Sequence, residues 1–334
     1  MSRAISATLV VLLLSIAACA RFEPGALPLP TAMPSVRAAT TPLAGSTAVP
    51  AATPNAPHAT LAIDVKPGAV YRDVTYCNTG NVALKLDLAY PKNLSDQPMP
   101  IVVYVHGGGW TSGDKSGGVG MIDSRELLAR GYVFASLNYR LAPQFKFPAQ
   151  IEDVKCAIRF LRANAATLRI DPNRIGAMGG SAGGHLVALL GTTDARAGFD
   201  VGQYLDQSSR VQAVVDLFGP ADLPALLTSR AMVVGQTVFG AKSNGDPILV
   251  RASPVTYIDP SDPPFLILQG DKDTTVPPEQ SQILYDRLKA ASVPATLVIV
   301  KNAGHGFAPV GGALSPSRAE LTKMIADFFD KNLP

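Results

Sequence analysis

Ser181 stands in the run Gly179-Gly180-Ser181-Ala182-Gly183, after a short apolar stretch, Arg174 to Met178, and before a helical pattern, His185 to Leu190. A strand, a G-x-S-x-G turn and a helix in that order form a nucleophile elbow, which thrusts a serine Oγ out above a sheet. The strand entering and the helix leaving pass so close that the flanking positions must lack bulk, and Gly179 and Gly183 fill them. The helix start brings unpaired N–H groups and partial positive charge beside the hydroxyl. Taken alone the motif is short, and a Gly-rich turn with an incidental serine reads equally well.

A serine hydroxyl becomes a useful nucleophile only when a base takes its proton and a third group orients that base. The chain has four histidines, so the base can be sought by elimination. His58 lies in a proline-rich stretch, and His185 is one turn beyond Ser181 on the same helix, where packing is its expected role. His106 directly follows the apolar run Ile101–Val105 and opens His106-Gly107-Gly108-Gly109-Trp110. His305 lies in Ala303-Gly304-His305-Gly306-Phe307, past the last apolar run, where a loop can bend over a sheet; it is the candidate base.

Asp271 and Asp273 both follow the run Phe265–Gln269 and could orient that histidine. Asp271 could equally make the turn and pair with Lys272, which favours Asp273. A turn carboxylate bonding its own backbone is the plain reading of either. The glycines after His106 suit backbone N–H groups aimed at a developing oxyanion, with Gly108, Gly109 and Ala182 as the donors. A phosphate cradle is the rival reading, but no P-loop lysine follows these glycines and no G-x-G-x-x-G opens a helix.

These residues need a frame. Val70 to Tyr90 alternates around Asn78-Thr79-Gly80-Asn81, which predicts an antiparallel hairpin. Continuous apolar runs follow at 101–105, 132–137, 174–178, 211–218, 265–269 and 296–300, with helical patterns at 122–130, 149–164, 182–191, 278–291 and 316–331. Strands alternating with helices predict one α/β domain: a mostly parallel central sheet covered on both faces, with ligands bound outside the carboxyl ends of the strands. Residues 222–253 break the rhythm, mixing Met232, Val233, Val234 and Phe239 with polar and Gly-rich turns. A small cap over the site and a surface excursion with no part in binding are both open. Trp110, this segment and Phe307 are candidates for pocket walls.

With 334 residues, 47% hydrophobic and 16% charged, the chain can bury a large core. Net charge is +3, of which Arg3, Arg21, Arg37 and Glu23 place +2 before residue 63. The remainder is nearly neutral and carries no basic block, which gives no footprint for nucleic acid. Residues 1–18 read as an export signal, with Arg3 before the apolar stretch Leu9 to Leu14. The run Ile16-Ala17-Ala18-Cys19 resembles the lipobox of bacterial lipoproteins, which implies a lipidated Cys19 and a membrane anchor in the cell envelope. An ordinary cleaved signal, leaving a secreted or periplasmic protein with Cys19 incidental, is the alternative. Residues 19–60 hold eight prolines and read as a tether, leaving 61–334 as the folded domain. Cys77 falls in a strand pattern and Cys156 in a helix; two separately buried thiols are expected ahead of a disulfide. Neither has a neighbouring histidine or cysteine that suggests a metal.

Four motifs together resemble the α/β-hydrolase esterases: His106 to Trp110, Asn138-Tyr139-Arg140-Leu141-Ala142-Pro143, Gly179 to His185, and Gly270-Asp271-Lys272-Asp273 through Val276-Pro277. The resemblance runs over roughly residues 65–332 and is strongest to the hormone-sensitive-lipase-like and bifunctional feruloyl/acetyl-xylan esterase branches. Gly180 stands where the first branch has Asp, and no helical N-terminal cap is evident, which favours the second. The resemblance implies a triad of Ser181, His305 and Asp273, and an oxyanion hole of Gly108, Gly109 and Ala182. It implies hydrolysis of small or short-chain carboxylic esters, including acetyl or feruloyl esters of polysaccharide, with no cofactor and no metal. An amidase or exopeptidase using the same triad, or a non-catalytic surface-binding module, are the competing readings. Nothing in the sequence sets an oligomeric state.

Overall fold

Runs such as Ile101–Val105 and Val133–Leu137 have no polar alternation, so as strands they must be covered on both faces. Every residue of both is buried. The computed structural model describes residues 61–117, 123–227 and 232–334. The signal segment, Cys19 and the tether to residue 60 lie outside the described residues.

The chain runs β1 (Val70–Thr79), β2 (Val82–Ala89), β3 (Met99–Val105), α1 (Ser124–Ala129), β4 (Val133–Leu137), α2 (Ala149–Ala163), α3 (Ala165–Leu168) and β5 (Ile170–Gly180). It continues through α4 (Ala182–Thr192), β6 (Ala213–Leu217), α5 (Leu223–Leu226), α6 (Met232–Val234) and α7 (Pro247–Arg251). The last elements are β7 (Phe265–Gly270), α8 (Pro278–Ala290), β8 (Ala295–Val300) and α9 (Arg318–Asn332). These strands form a single sheet in the order β1-β2-β4-β3-β5-β6-β7-β8. The expected hairpin β1–β2 is antiparallel and joins β4 antiparallel; every pair from β4 onward is parallel. One face buries Ile151, Leu186 and Leu284 of α2, α4 and α8. The other buries Leu127 of α1 and Leu321, Ile325 and Phe329 of α9. The carboxyl ends of β3, β5, β7 and β8 are thereby left to carry loops at one edge of the sandwich.

Cys77 and Cys156 form a disulfide, with Cα atoms 6.5 Å apart, so the expectation of separate thiols is corrected. Cys77 lies in β1 and Cys156 in α2, the kinds of element expected for them. The strand pattern did not show that β1 folds over α2, bringing an inward-facing Cys77 onto the helix. Helix α2 is buried almost all round, and the cations that burial would strand, Lys155 and Arg159, both reach Asp200, at 3.1 and 2.5 Å. Within 222–253 the described residues form α5, α6, a π-helical turn over Gly235–Phe239 and α7, and Val238, Phe239, Leu249 and Ala252 are buried in the core.

Candidate active site

Ser181 lies between the last residue of β5 and the first of α4, with φ +57° and ψ −120°, a conformation that turns the side chain out of the sheet. Its N–H donates to the Leu217 carbonyl at the end of β6, at 2.9 Å, which pins the turn. The glycines around it are dictated by contact. A Cβ on Gly183 would collide with the Val105 carbonyl, and one on Gly179 would stand 2.5 Å from the Gly183 carbonyl.

His305 follows β8 in a short turn. Its Nε2 lies 3.0 Å from Ser181 Oγ and its Nδ1 lies 2.7 Å from Asp273 Oδ2. Asp273 Oδ1 accepts the backbone N–H groups of Thr275 and Val276, each at 2.9 Å. Burial pushes this carboxyl up, but the His305 bond and the amides outweigh it, and the net shift is below the usual carboxylate range. An ionised Asp273 accepts, so Nδ1 carries the proton and the Nε2 lone pair faces the serine hydroxyl. Asp271 goes elsewhere: its Oδ1 accepts the Ala303 N–H at 3.2 Å and its carboxylate stands 3.8 Å from Lys272. It ties the base of the histidine loop to the acid loop. The structure therefore brings together Ser181, His305 and Asp273, and not Asp271.

The glycine loop after β3 approaches the same point. Gly108 has φ +115°, and a Cβ there would strike the Ser112 carbonyl. Its own carbonyl accepts the Thr111 and Ser112 N–H groups at 3.1 and 3.0 Å, which curls the loop. Among the described residues the amides of Gly108, Gly109 and Ala182 have no acceptor, and Ala182 opens α4, where the first N–H groups have none within the helix. His106 cannot serve as a base here. Its ring is buried and stacks on Tyr139 at 4.4 Å, its Nδ1–H donates to the Gly107 carbonyl at 2.7 Å, and burial lowers its pKa.

His185 is wholly buried and packs as expected, though its partners could not be foreseen. Trp110 Nε1–H donates to its Nδ1 at 3.2 Å, and its Nε2–H donates to the Ala252 carbonyl at 2.7 Å. A single neutral tautomer satisfies both bonds, and burial pushes its pKa down to about 4. The link joins the glycine loop, α4 and the 222–253 stretch, where Phe239 packs edge-on against Trp110 at 5.2 Å. Trp110 is only 5% exposed and Phe307 is 0% exposed. The expectation that Phe307 walls a pocket is therefore corrected; it packs behind His305 through Phe218.

Residues that the sequence reading missed support these loops. Arg318, at the start of α9, donates to the Phe307 carbonyl at 2.9 Å and the Gly306 carbonyl at 3.3 Å. Asp216 of β6 is fully buried; its Oδ1 accepts the Gly219 N–H at 2.8 Å, and its Oδ2 has no partner among the described residues. Burial raises this carboxyl to about 7. A charged residue inside the apolar run 211–218 was the available signal. No group of three or more His, Cys, Asp or Glu side chains among the described residues is arranged to hold a metal ion. No helix among them is long and apolar enough to cross a membrane.

Several known proteins similar to this chain are esterases. Esterase LipC of Mycobacterium tuberculosis is 35% identical over 234 residues, covering 68% of this chain and 58% of its own length. The chain spans about half the length of the curated relatives it matches. A truncated carbohydrate esterase from gut microbiota superposes with a TM-score of 0.66 at 30% identity, over 80% of this chain and 97% of that one. Thermogutta terrifontis esterase 2 with propionate bound superposes at 0.65 with 29% identity, over 79% and 93%. The fold is thus that of the α/β-hydrolases. The BD-FAE family model matches residues 86–288, and a match running from β2 into α8 makes this chain a member of the BD-FAE family.

Proposed function

We propose that this protein is a serine carboxylic ester hydrolase acting on small or short-chain esters. The observation that carries the reading is the line from Asp273 through His305 to Ser181, with 2.7 and 3.0 Å steps, ending on a strained elbow serine. Ser181 Oγ attacks the ester carbonyl carbon while His305 Nε2 takes its proton. The carbonyl oxygen becomes an oxyanion facing the amides of Gly108, Gly109 and Ala182. The tetrahedral species collapses, the C–O bond to the alcohol breaks, and His305 returns its proton to the leaving oxygen. Water, giving a proton to His305, then attacks the acyl carbon; the bond to Ser181 Oγ breaks, His305 returns that proton to Oγ, and the acid leaves. Asp273 keeps the imidazole in the working tautomer and stabilises the imidazolium.

The similarity to a carbohydrate esterase and to an esterase with bound propionate supports short acyl groups and a carbohydrate alcohol; acetyl or feruloyl esters of polysaccharide are the substrate class proposed on that basis. The 222–253 stretch, packed on Trp110, is read as a small cap. Residues 1–18 are read as a signal and 19–60 as a tether from a lipidated Cys19, which places the domain at a bacterial envelope membrane. Cys19→Ser should then move the protein from the detergent to the aqueous phase; unchanged partition would remove the anchor from the reading.

The test of activity uses the full-length protein with p-nitrophenyl esters from acetate to palmitate beside matched anilides, and Ser181→Ala as control. Turnover of the short esters that disappears in the control is expected. Ester turnover no greater than the control's, with the protein folded, would sink the esterase. Anilide turnover would then favour the amidase, and silence on both the binding module.

A further inference from the structure

The imidazole of His305 has two torsions, χ1 and χ2, and both must be held for Nδ1 and Nε2 to meet their partners together. During the proposed reaction the Nε2 bond passes from Ser181 Oγ to the leaving oxygen, so packing has to hold the ring while that bond changes partner. The ring that packs there is Phe218. Its centroid lies 4.9 Å from that of His305, with the planes at 67°. Phe307 holds Phe218 from another side at 4.9 Å and 84°. Phe218 is 1% exposed.

The backbone that carries this ring is unusual. Phe218 has φ +46° and Phe307 has φ +54°, a left-handed region that a bulky side chain rarely adopts. Glycine would sit at either position without strain, so the turn alone does not call for an aromatic residue. Strain of this kind persists where the surroundings over-determine it, commonly at functional sites. The backbone around Phe218 is also bonded to the nucleophile turn and to the strand before the acid. The Leu217 carbonyl receives the Ser181 N–H, and the Phe218 N–H donates to the Leu268 carbonyl of β7, the strand that leads to Asp273, each at 2.9 Å. The ring of Phe218 then meets the histidine. One residue thereby references the nucleophile turn, the acid strand and the base to a common frame.

We infer that Phe218 is a positioning residue for His305, holding the plane of the imidazole so that Nε2 stays aligned with Ser181 Oγ and then with the leaving oxygen. This deepens the esterase reading and rests on it.

The experiment compares full-length wild type, Phe218→Gly, Phe218→Leu and Ser181→Ala on p-nitrophenyl acetate, with near-ultraviolet circular dichroism to establish folding. The glycine variant relieves the backbone while removing the ring; the leucine variant keeps apolar volume without the ring. In both, kcat should fall by roughly 10- to 100-fold, the scale of a small misplacement of a catalytic group, with KM within about threefold. The solvent deuterium isotope effect on kcat should fall toward unity, because proton transfer through His305 no longer keeps step with attack. Lost packing without misalignment would leave that isotope effect unchanged. Folded variants with kcat within about threefold of wild type, or with an unaltered isotope effect, would overturn the assignment. If Phe218→Gly does not fold, Phe218→Leu decides by the same readouts. Wild-type turnover no higher than that of Ser181→Ala would instead refute the esterase reading beneath it.

Discussion

The role of Asp273 can be tested by a change of a single atom type, and the structure fixes what that change does. In Asp273→Asn the side-chain oxygen is held at the Oδ1 position, because the Thr275 and Val276 N–H groups donate there at 2.9 Å. Turning the amide over would set an NH₂ against those donors. The new NH₂ therefore faces His305 Nδ1, 2.7 Å away in the wild type. Two donors cannot share that contact, so Nδ1 must give up its proton and accept. The proton moves to Nε2, which then points an N–H at Ser181 Oγ and has no lone pair with which to act as base. The geometry survives and the tautomer is wrong. In serine proteases the corresponding loss in kcat is about 10⁴-fold, or about 5 kcal/mol of transition-state stabilisation. We expect a loss of that order in the kcat of p-nitrophenyl acetate hydrolysis, with little change in KM. Asp271→Asn is the control, since an asparagine oxygen can still accept the Ala303 N–H, and its cost should stay within about tenfold. An Asp273→Asn enzyme within tenfold of wild type would refute the tautomer argument, as would an Asp271→Asn enzyme equally impaired.

Removing the disulfide should cost stability without touching the site. The bridge closes a sequence separation of 79 residues, which on the chain-entropy account is worth about 4–5 kcal/mol. Replacing Cys77 and Cys156 together with alanine should lower the thermal midpoint by roughly 10 °C; alkylation of either cysteine in denatured, unreduced wild type would show that no bridge forms. Asp216 predicts a pH effect of defined sign. Its carboxyl rises from 3.8 to about 7 on burial, so the folded state holds the proton more tightly than the unfolded chain. That contribution is full below about pH 4 and is lost as pH rises through about 7. Asp216→Asn has no proton to lose, so its stability relative to wild type should climb across that window, by at most about 4 kcal/mol. Parallel curves of stability against pH for the two proteins would count against a neutral buried carboxyl.

Much of the frame was legible because burial on both faces writes itself into sequence as unbroken apolar runs. The runs at 101–105 and 265–269 became β3 and β7 almost to the residue. The grouping of Ser181, His305 and Asp273 was legible for a related reason: such chemistry stands at strand ends, and only one histidine followed the last strand. Asp271 and Asp273 could not be separated by spacing, and the structure shows why. The Asp271 N–H still donates to the Val300 carbonyl of β8, at 3.0 Å, so that residue remains in sheet register and spends its side chain on the neighbouring loop. Two residues later the chain has left the sheet, and Asp273 is free to turn to His305.

What stayed hidden depends on partners that no local pattern names. Cys77 meets Cys156 across 79 residues, and His185 draws one partner from Trp110 and the other from Ala252, 75 and 67 residues away. Phe218 is the sharpest case, because its residue type argues against the backbone it adopts. Local propensity would put a glycine at φ +46°. A phenylalanine there is a conflict between the local and the global, and such conflicts gather where function demands a geometry that propensity does not supply. A catalytic side chain is announced by what it can do; the residue that aims it is visible only once the loops have met.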